Sequence, residues 1–368
     1  MNMGNRVFNR RGKSLKAFTL LCLGISLSLA TPSSSHAQVI PQTTGIFAVN
    51  PVSSSGVVQS SILTDKYVKG IFVSFDWNNL ETKENVYTWT VIDSVLKQAA
   101  AKGKVVTMAV MAGNNTPTWV YADGAQTFKF LWDRPTTSPA VCSVQSIPVP
   151  WDPVFTAKWQ TFVRALGARY GGNPTLVSVL MYGINFRSVE TSLPETNAEL
   201  ISYNGKSCTG YNYPALWQKA GYTRTRIENA LFGMQSYYQR AFPRTQLMAG
   251  LNPIGFPPID QNGKLIPNQP ADFEVPADLM ASGAVALGPQ FSGADGGLSA
   301  SSGAWPLLTE YASTVNTGYQ MVAPLGASLP AAITTGIDAG VRWLQIYPSD
   351  ITLPANQSAI ISASETLH

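Results

Sequence analysis

The hydrophobic positions of this chain fall into short blocks that switch between two periods. Between Gly70 and Gly113, the block Ile71, Phe72, Val73 and Phe75 runs into Asp76 and Trp77. A polar connection follows. Val91, Ile92, Val95, Leu96 and Ala99 then recur at helical spacing until Gly103 stops the pattern. A second apolar run, residues 104–111, follows at once. Both runs are apolar along most of their length and do not alternate, which predicts parallel strands covered on both faces. The helix between them predicts a right-handed crossover.

The same alternation continues through the chain. Strands are expected at residues 44–50, at the two runs above, and at 176–182, 246–251, 284–288, 317–322 and 341–347. A small helix is expected within 57–67. Longer ones are expected over 153–170, 223–242 and 329–339, with a helical turn or two over 306–313 and a closing helix or tail over 349–368. Asp152 reads as an N-cap and Pro153 as a first-turn proline. Eight strands separated by helices predict an α/β fold, a (β/α)8 TIM barrel with long loops after strands three, four and five. An open doubly wound sheet is the alternative, but no glycine-rich dinucleotide fingerprint follows the first strand.

The first residues are set apart from this fold. Arg6, Arg10, Arg11, Lys13 and Lys16 precede an apolar stretch from Ala17 to Ala30, and Ser35-His36-Ala37 is a small-x-small cleavage signal. Residues 1–37 therefore read as a secretory signal peptide and 38–368 as a single catalytic-type domain, secreted or periplasmic, with no stable membrane insertion after cleavage. Removing the signal changes the charge. The five basic groups leave with it, so 25 − 5 = 20 basic and 21 acidic groups remain, a net −1. No basic patch points to nucleic acid.

Histidine and cysteine narrow the chemistry further. The two histidines are His36, in the signal, and His368, the last residue, so a histidine-based triad within the fold is excluded, as are His-rich metal centres. No metal and no cofactor is expected. Cys142 and Cys208 remain after signal removal, and an even pair in an exported chain predicts a disulfide. In a barrel that bridge would clamp the loops after strands three and four.

The reacting groups of barrel enzymes sit at the carboxyl ends of the strands. On this reading the candidates are Asp76 and Trp77 after strand two, Tyr182, Asn185 and Glu190 after strand four, and Asn252 after strand five. Gln290 follows strand six, Tyr319 and Gln320 belong to strand seven, and Tyr347 and Asp350 follow strand eight. Glu190 is the first choice for a general acid, against the alternatives of a solvated loop residue or a partner for Arg187. Asn185 is either a sugar ligand or a turn residue. Asp76 either binds substrate hydroxyls or holds a loop. Trp119 and Trp132, in the long third loop, are candidate platforms for sugar rings, as are Trp217 and Trp343.

One stretch carries a family resemblance. FDWNNLE followed by YTWTVIDSVLKQAAAKGKVVTMAV, with PTWVY at 117–121, resembles strands two and three of clan A glycoside hydrolases. Their β-galactosidase- and cellulase-like members have similar W-x-x-L/I-E, Y-x-W-x-x-I-D, K-x-V and P-x-W patterns. The resemblance implies a (β/α)8 barrel acting on carbohydrate, with a strand-four Glu directly after Asn as acid/base and a strand-seven Glu as nucleophile. Glu190 is the nearest match to the first, with Asn185 five positions before it and not adjacent. At strand seven the sequence is TGYQMVAP, with Gln320 where the carboxylate would stand. The second carboxyl group is then sought among Asp76, Asp295, Glu310 and Asp350, with Glu310 read as a solvated helix residue. Three readings stay open: an exported glycoside hydrolase or transglycosylase, a catalytically silent carbohydrate-binding barrel, and another barrel lyase or metal-assisted hydrolase.

Overall fold

The computed structural model describes residues 40–367, apart from 134–138, 182, 187, 189, 196–199, 204–205, 210–211, 253–254, 268, 270 and 296–304. At 200–203, 206–207, 209 and 294–295 only the backbone is described. The expected signal peptide and Tyr182 lie outside the described residues.

Eight parallel strands close into a barrel in sequence order. They are β1 (Gly45–Val49), β2 (Gly70–Asp76), β3 (Val105–Met111), β4 (Leu176–Leu180), β5 (Gln246–Leu251), β6 (Phe291–Asp295), β7 (Asn316–Gln320) and β8 (Trp343–Ile346). Outside them run α1 (Ser60–Thr64), α2 (Thr90–Ala101), α3 (Pro153–Tyr170), α4 (Arg224–Ala241), α5 (Glu274–Leu287), α6 (Trp305–Tyr311), α7 (Leu329–Asp338) and α8 (Gln357–Thr366). This is the (β/α)8 barrel. Every residue of β1, β5 and β8 is buried, as strands sandwiched between barrel interior and helix layer must be. Asp152 caps α3, accepting from the Phe155 N–H at 2.8 Å, and Pro153 occupies its first turn.

One strand lies elsewhere than the sequence suggests. Residues 284–287 complete α5, Gly288 caps it, and the sixth strand is Phe291–Asp295. The apolar run 284–288 is too short to reveal its period. Val275, Leu279, Met280, Gly283 and Leu287 form the buried stripe of a helix, while Val285 is 88% exposed. The true strand reads FSGAD and has one large apolar side chain, so its hydrophobic signal is weak.

Register identifies the residues that face the barrel axis. Tyr319 stacks on Trp305 of α6 at 5.1 Å, and Gly336 of α7 lies beside both Tyr319 and Leu344. Tyr319 and Leu344, paired in register, therefore face the helices, and Gly318, Gln320, Trp343 and Gln345 face inward. The inward row continues through Phe47, Gly70, Phe72, Ser74 and Asp76, then Thr107 and Met111, Ser178, and Met248. Trp343 fills the interior across Gly318, where even a methyl group would overlap the indole. At the lower end Gln246 Oε1 accepts from the Thr43 N–H and from Asn316 Nδ2 at 2.9 and 3.0 Å, closing the floor with a polar plug.

The third and fourth loops are long, and each contains an antiparallel pair of strands. After β3 a short helix, Thr118–Ala122, leads into an antiparallel hairpin of Thr127–Leu131 with Val144–Pro148. After β4, Leu200–Tyr203 pairs with Lys206–Thr209. Cys142 at the first hairpin and Cys208 in the second are joined by a disulfide with a Cα–Cα distance of 5.8 Å. It clamps the two neighbouring loops, as expected.

Candidate active site

The carboxyl-terminal rim of the barrel gathers the polar candidates from β2 to β5. After β4 the chain makes an excursion and returns at Thr191, whose N–H donates to Gly250 O at 2.7 Å and which pairs with Leu251 as a parallel neighbour. Leu251 lies between the inward positions of β5, so Glu190, one residue before Thr191, falls on the inward row. Asn252 lies on that row too, and its Nδ2 donates to Glu190 Oε2 at 3.1 Å and to Ser188 Oγ at 3.3 Å. Glu190 is 7% exposed.

Asp76 ends β2 on the same rim and is half-buried. Asn115 Nδ2 donates to its Oδ1 at 2.7 Å and Asn79 Nδ2 to its Oδ2 at 3.3 Å. Burial pushes its carboxyl above the usual aspartate range. The third loop then meets the fourth: the Asn114 N–H donates to Phe186 O at 3.2 Å. Gly113 permits this approach. It has a φ of +44°, and a Cβ there would strike the carbonyl oxygens of Asn185 and Phe186. Asn185 Nδ2 donates to Ser188 O at 2.8 Å, which holds the turn before Glu190. A chain of contacts thus runs from Asp76 through Asn115, Asn114, Phe186, Asn185, Ser188 and Asn252 to Glu190. Asn115, Ser188 and the loop-holding role of Gly113 were not foreseen from sequence, because each acts through a contact between loops of different strands.

The raised Asp76 pKa has a consequence for stability. The folded chain holds this proton more tightly than the unfolded chain. The associated stability is full below the ordinary aspartate pKa and is lost as pH rises through the folded value. Asp76→Asn removes the charge penalty, so its stability relative to wild type is expected to be greater at about pH 7 than at about pH 3. Urea denaturation midpoints at the two pH values check this. A difference independent of pH would rule out a penalty from this carboxylate.

Other candidates are drawn away from the rim. Trp77 is fully buried: its Nε1 donates to Glu81 Oε2 at 2.7 Å, and its ring meets Trp159 at 4.9 Å in the aromatic packing under α3. Trp119 belongs to the same packing, edge-on to Trp77 at 6.0 Å, with its Nε1 donating to Glu81 O at 3.1 Å. Trp132 is buried beside the disulfide, its carbonyl accepting from the Cys142 N–H at 2.8 Å. Trp217 stacks on Phe128 at 3.8 Å, and Trp343 fills the barrel. For Trp77, Trp132, Trp217 and Trp343 the platform expectation is corrected, because a ring that closes the core gains more by burial than by waiting for a ligand; Trp119 is half-buried.

Gln290 is also corrected. It precedes β6 at the opposite end of the barrel, where its Nε2 donates to Phe242 O and Thr245 O at 2.7 and 3.0 Å. Tyr319 faces the helix layer. Gln320 and Tyr347 remain near the rim, both half-buried, with the Tyr347 hydroxyl donating to Val322 O at 3.2 Å. Asp295 ends β6, and its side chain lies outside the described residues. Glu310 is exposed on α6, as expected.

Asp350 has a structural task in the eighth loop. It is buried, and its two oxygens accept from the Leu325 and Gly326 N–H groups at 2.7 and 2.8 Å, tying the seventh loop to the eighth. Asp350→Ala leaves both amides without that acceptor and is expected to cost about 3 kcal/mol of stability. Any turnover per folded molecule is expected to stay near wild type. Chemical denaturation and active-fraction kinetics separate the two effects, and a variant that is stable but inactive would return Asp350 to the site.

Comparison with known proteins agrees with this architecture. Residues 67–183, from the approach to β2 through the end of β4, match the family described as Beta-galactosidase (Glyco_hydro_42). No curated protein matches the chain. Among solved structures, the catalytic domain of beta-amylase from Paenibacillus polymyxa is similar in fold, with a TM-score of 0.57 and 12% identity over 88% of this chain and 100% of that one. The stretch that resembles clan A glycoside hydrolases in sequence therefore lies inside the matched segment, and the strands it forms belong to a closed (β/α)8 barrel. In its β2–β4 segment this chain is similar in sequence to clan A glycoside hydrolases, and across its barrel it shares the fold of the beta-amylase domain.

Proposed function

We propose that this protein is an exported glycosidase, a hydrolase or transglycosylase of oligo- or polysaccharide, with Glu190 as its proton donor and acceptor. The observation that carries the reading is the placement of Glu190: buried, inward on the β4–β5 rim and hydrogen-bonded by Asn252. The family match over the adjoining segment supports carbohydrate as substrate. A carboxyl group so held can protonate a glycosidic oxygen and later accept a proton from the attacking water or sugar hydroxyl. Asn252 fixes its rotamer.

Asp76 is the companion we assign. It faces the same opening, it is tied to the Glu190 loop through Asn115 and the third loop, and it is partly desolvated. Its role is to act in its ionised form on the opposite side of the scissile bond. The raised pKa then sets the acid limb of the pH–rate profile above the ordinary aspartate range. Asp76→Asn is expected to abolish turnover while leaving the fold intact. The test is hydrolysis of an aryl-glycoside and polysaccharide panel by the purified chain and by Asp76→Asn. Full activity in that variant would remove Asp76 from the mechanism.

A second reading has one specific observation in its favour. The inward residue that ends β7 is Gln320, an amide at the strand where the resemblance calls for a nucleophilic carboxylate. On that reading the barrel binds carbohydrate without cleaving it. Retained oligosaccharide binding without turnover on any substrate of the panel would decide for it.

A further inference from the structure

The outer wall holds a second opening unrelated to the rim carboxylates. Helices α3 and α4 meet closely near their carboxyl ends, where Gly167 and Gly171 lie against the backbone of Ala241. Between the start of α3 and the outer face of α4 lies an open hollow of about 490 Å³, within the range of about 300–1,000 Å³ usual for small-molecule sites. Trp151, Gln126, Thr156, Arg226, Asn229 and Tyr237 line it.

The chemistry of this lining is uneven in an informative way. Trp151 is half-buried and rigidly set: its Nε1 donates to Ala220 O at 3.1 Å, and Tyr222 and Trp217 brace its ring at 5.7 and 5.9 Å. Arg226 is anchored by a bond from its Nη1 to Gly221 O at 3.0 Å. Gln126 and Asn229 are exposed and Tyr237 is half-buried, so their polar groups meet solvent at the opening. A braced indole beside solvent-facing amides and a hydroxyl matches the two faces of a pyranose: C–H groups that lie on an aromatic ring, and hydroxyls that exchange hydrogen bonds with amides.

We propose that this cavity is an auxiliary carbohydrate-binding site, taking a segment of a neutral polysaccharide chain and holding it to the outside of the barrel. The proposal rests on the carbohydrate reading of the rim. Trp151 is the platform. Gln126, Asn229 and Tyr237 hold the hydroxyls, and Arg226 adds further donors.

The test is affinity electrophoresis through gels containing starch, galactan, xylan or mixed-linkage β-glucan. It compares wild type, Trp151→Ala and the pair Gln126→Ala/Asn229→Ala, with aryl-glycoside kinetics on each preparation. At least one polysaccharide is expected to retard the wild type, with retardation falling tenfold or more in both variants. Where the rim turns over a short aryl-glycoside, kcat/KM on it is expected to stay within twofold. If Trp151→Ala fails to fold, by circular dichroism, the pair carries the test, since both its positions are exposed. Equal retardation of the pair and wild type would overturn the site, and so would no retardation of wild type on any gel. Aryl-glycoside turnover in the same samples reports separately on the rim, so loss of one reading is not mistaken for loss of the other.

Discussion

Replacing Glu190 by Gln is expected to lower kcat/KM on a responsive glycan by a factor of about 10²–10⁴, the usual contribution of a positioned general acid–base. The substitution keeps the shape of the side chain and an oxygen that still accepts from Asn252 Nδ2, so the rim has no reason to rearrange. What it removes is the proton. The loss is expected in kcat, with KM nearly unchanged, because the group acts on the reacting bond and not on substrate capture. Substrates with very good leaving groups need less protonation and are expected to suffer less. Asn252→Ala separates positioning from chemistry: it leaves the carboxyl group but frees its rotamer, and a smaller loss is expected. Wild-type rates in Glu190→Gln, from a properly folded preparation, would move the acid elsewhere on the rim.

The second large effect concerns the barrel interior. Trp343→Ala is expected to destabilise the fold by about 3–5 kcal/mol, the cost of emptying a large aromatic site in a packed core. The ring is fully buried and lies across Gly318 on the neighbouring strand. Gly318→Val is expected to be severely destabilising for the opposite reason, since the added atoms overlap the indole. Combined, the two changes relieve each other, and the double variant is expected to be more stable than the sum of the singles predicts. Trp343→Phe is expected to cost less than Trp343→Ala, because it keeps an aromatic ring. It also removes an indole N–H that has no partner among the described residues. Urea denaturation of the four variants measures all of this, and strict additivity in the double variant would show that the two positions do not share one space.

Several features could be read directly from the chain. Strands β1 to β5 and β8 announce themselves as apolar runs because both their faces are covered, whereas β7, read from NTGYQ, shows only through its place in the repeating order. The cap at Asp152 shows because a helix start has a local chemistry of its own, and the Cys142–Cys208 bridge follows from an even pair on adjacent loops. Glu190 and Asp76 could be singled out because carboxylates just beyond a barrel strand are few. These are local properties, decided by residues near one another in sequence.

Other features depend on contacts between distant segments, and only the tertiary structure decided them. Strand β6 has too little apolar surface to mark itself and is defined by its pairing with β5 and β7. Trp77 and Trp119 look like rim aromatics in sequence, but α3 brings Phe155, Trp159 and Phe162 against Trp77 and closes a core around it. Asp350 looks like a rim acid until the seventh loop presents two amides to it. The return of the chain at Thr191 sets Glu190 beside Asn252, sixty-two residues away. A residue's type fixes which bonds it can make; which of those bonds it makes depends on the partners that folding brings to it.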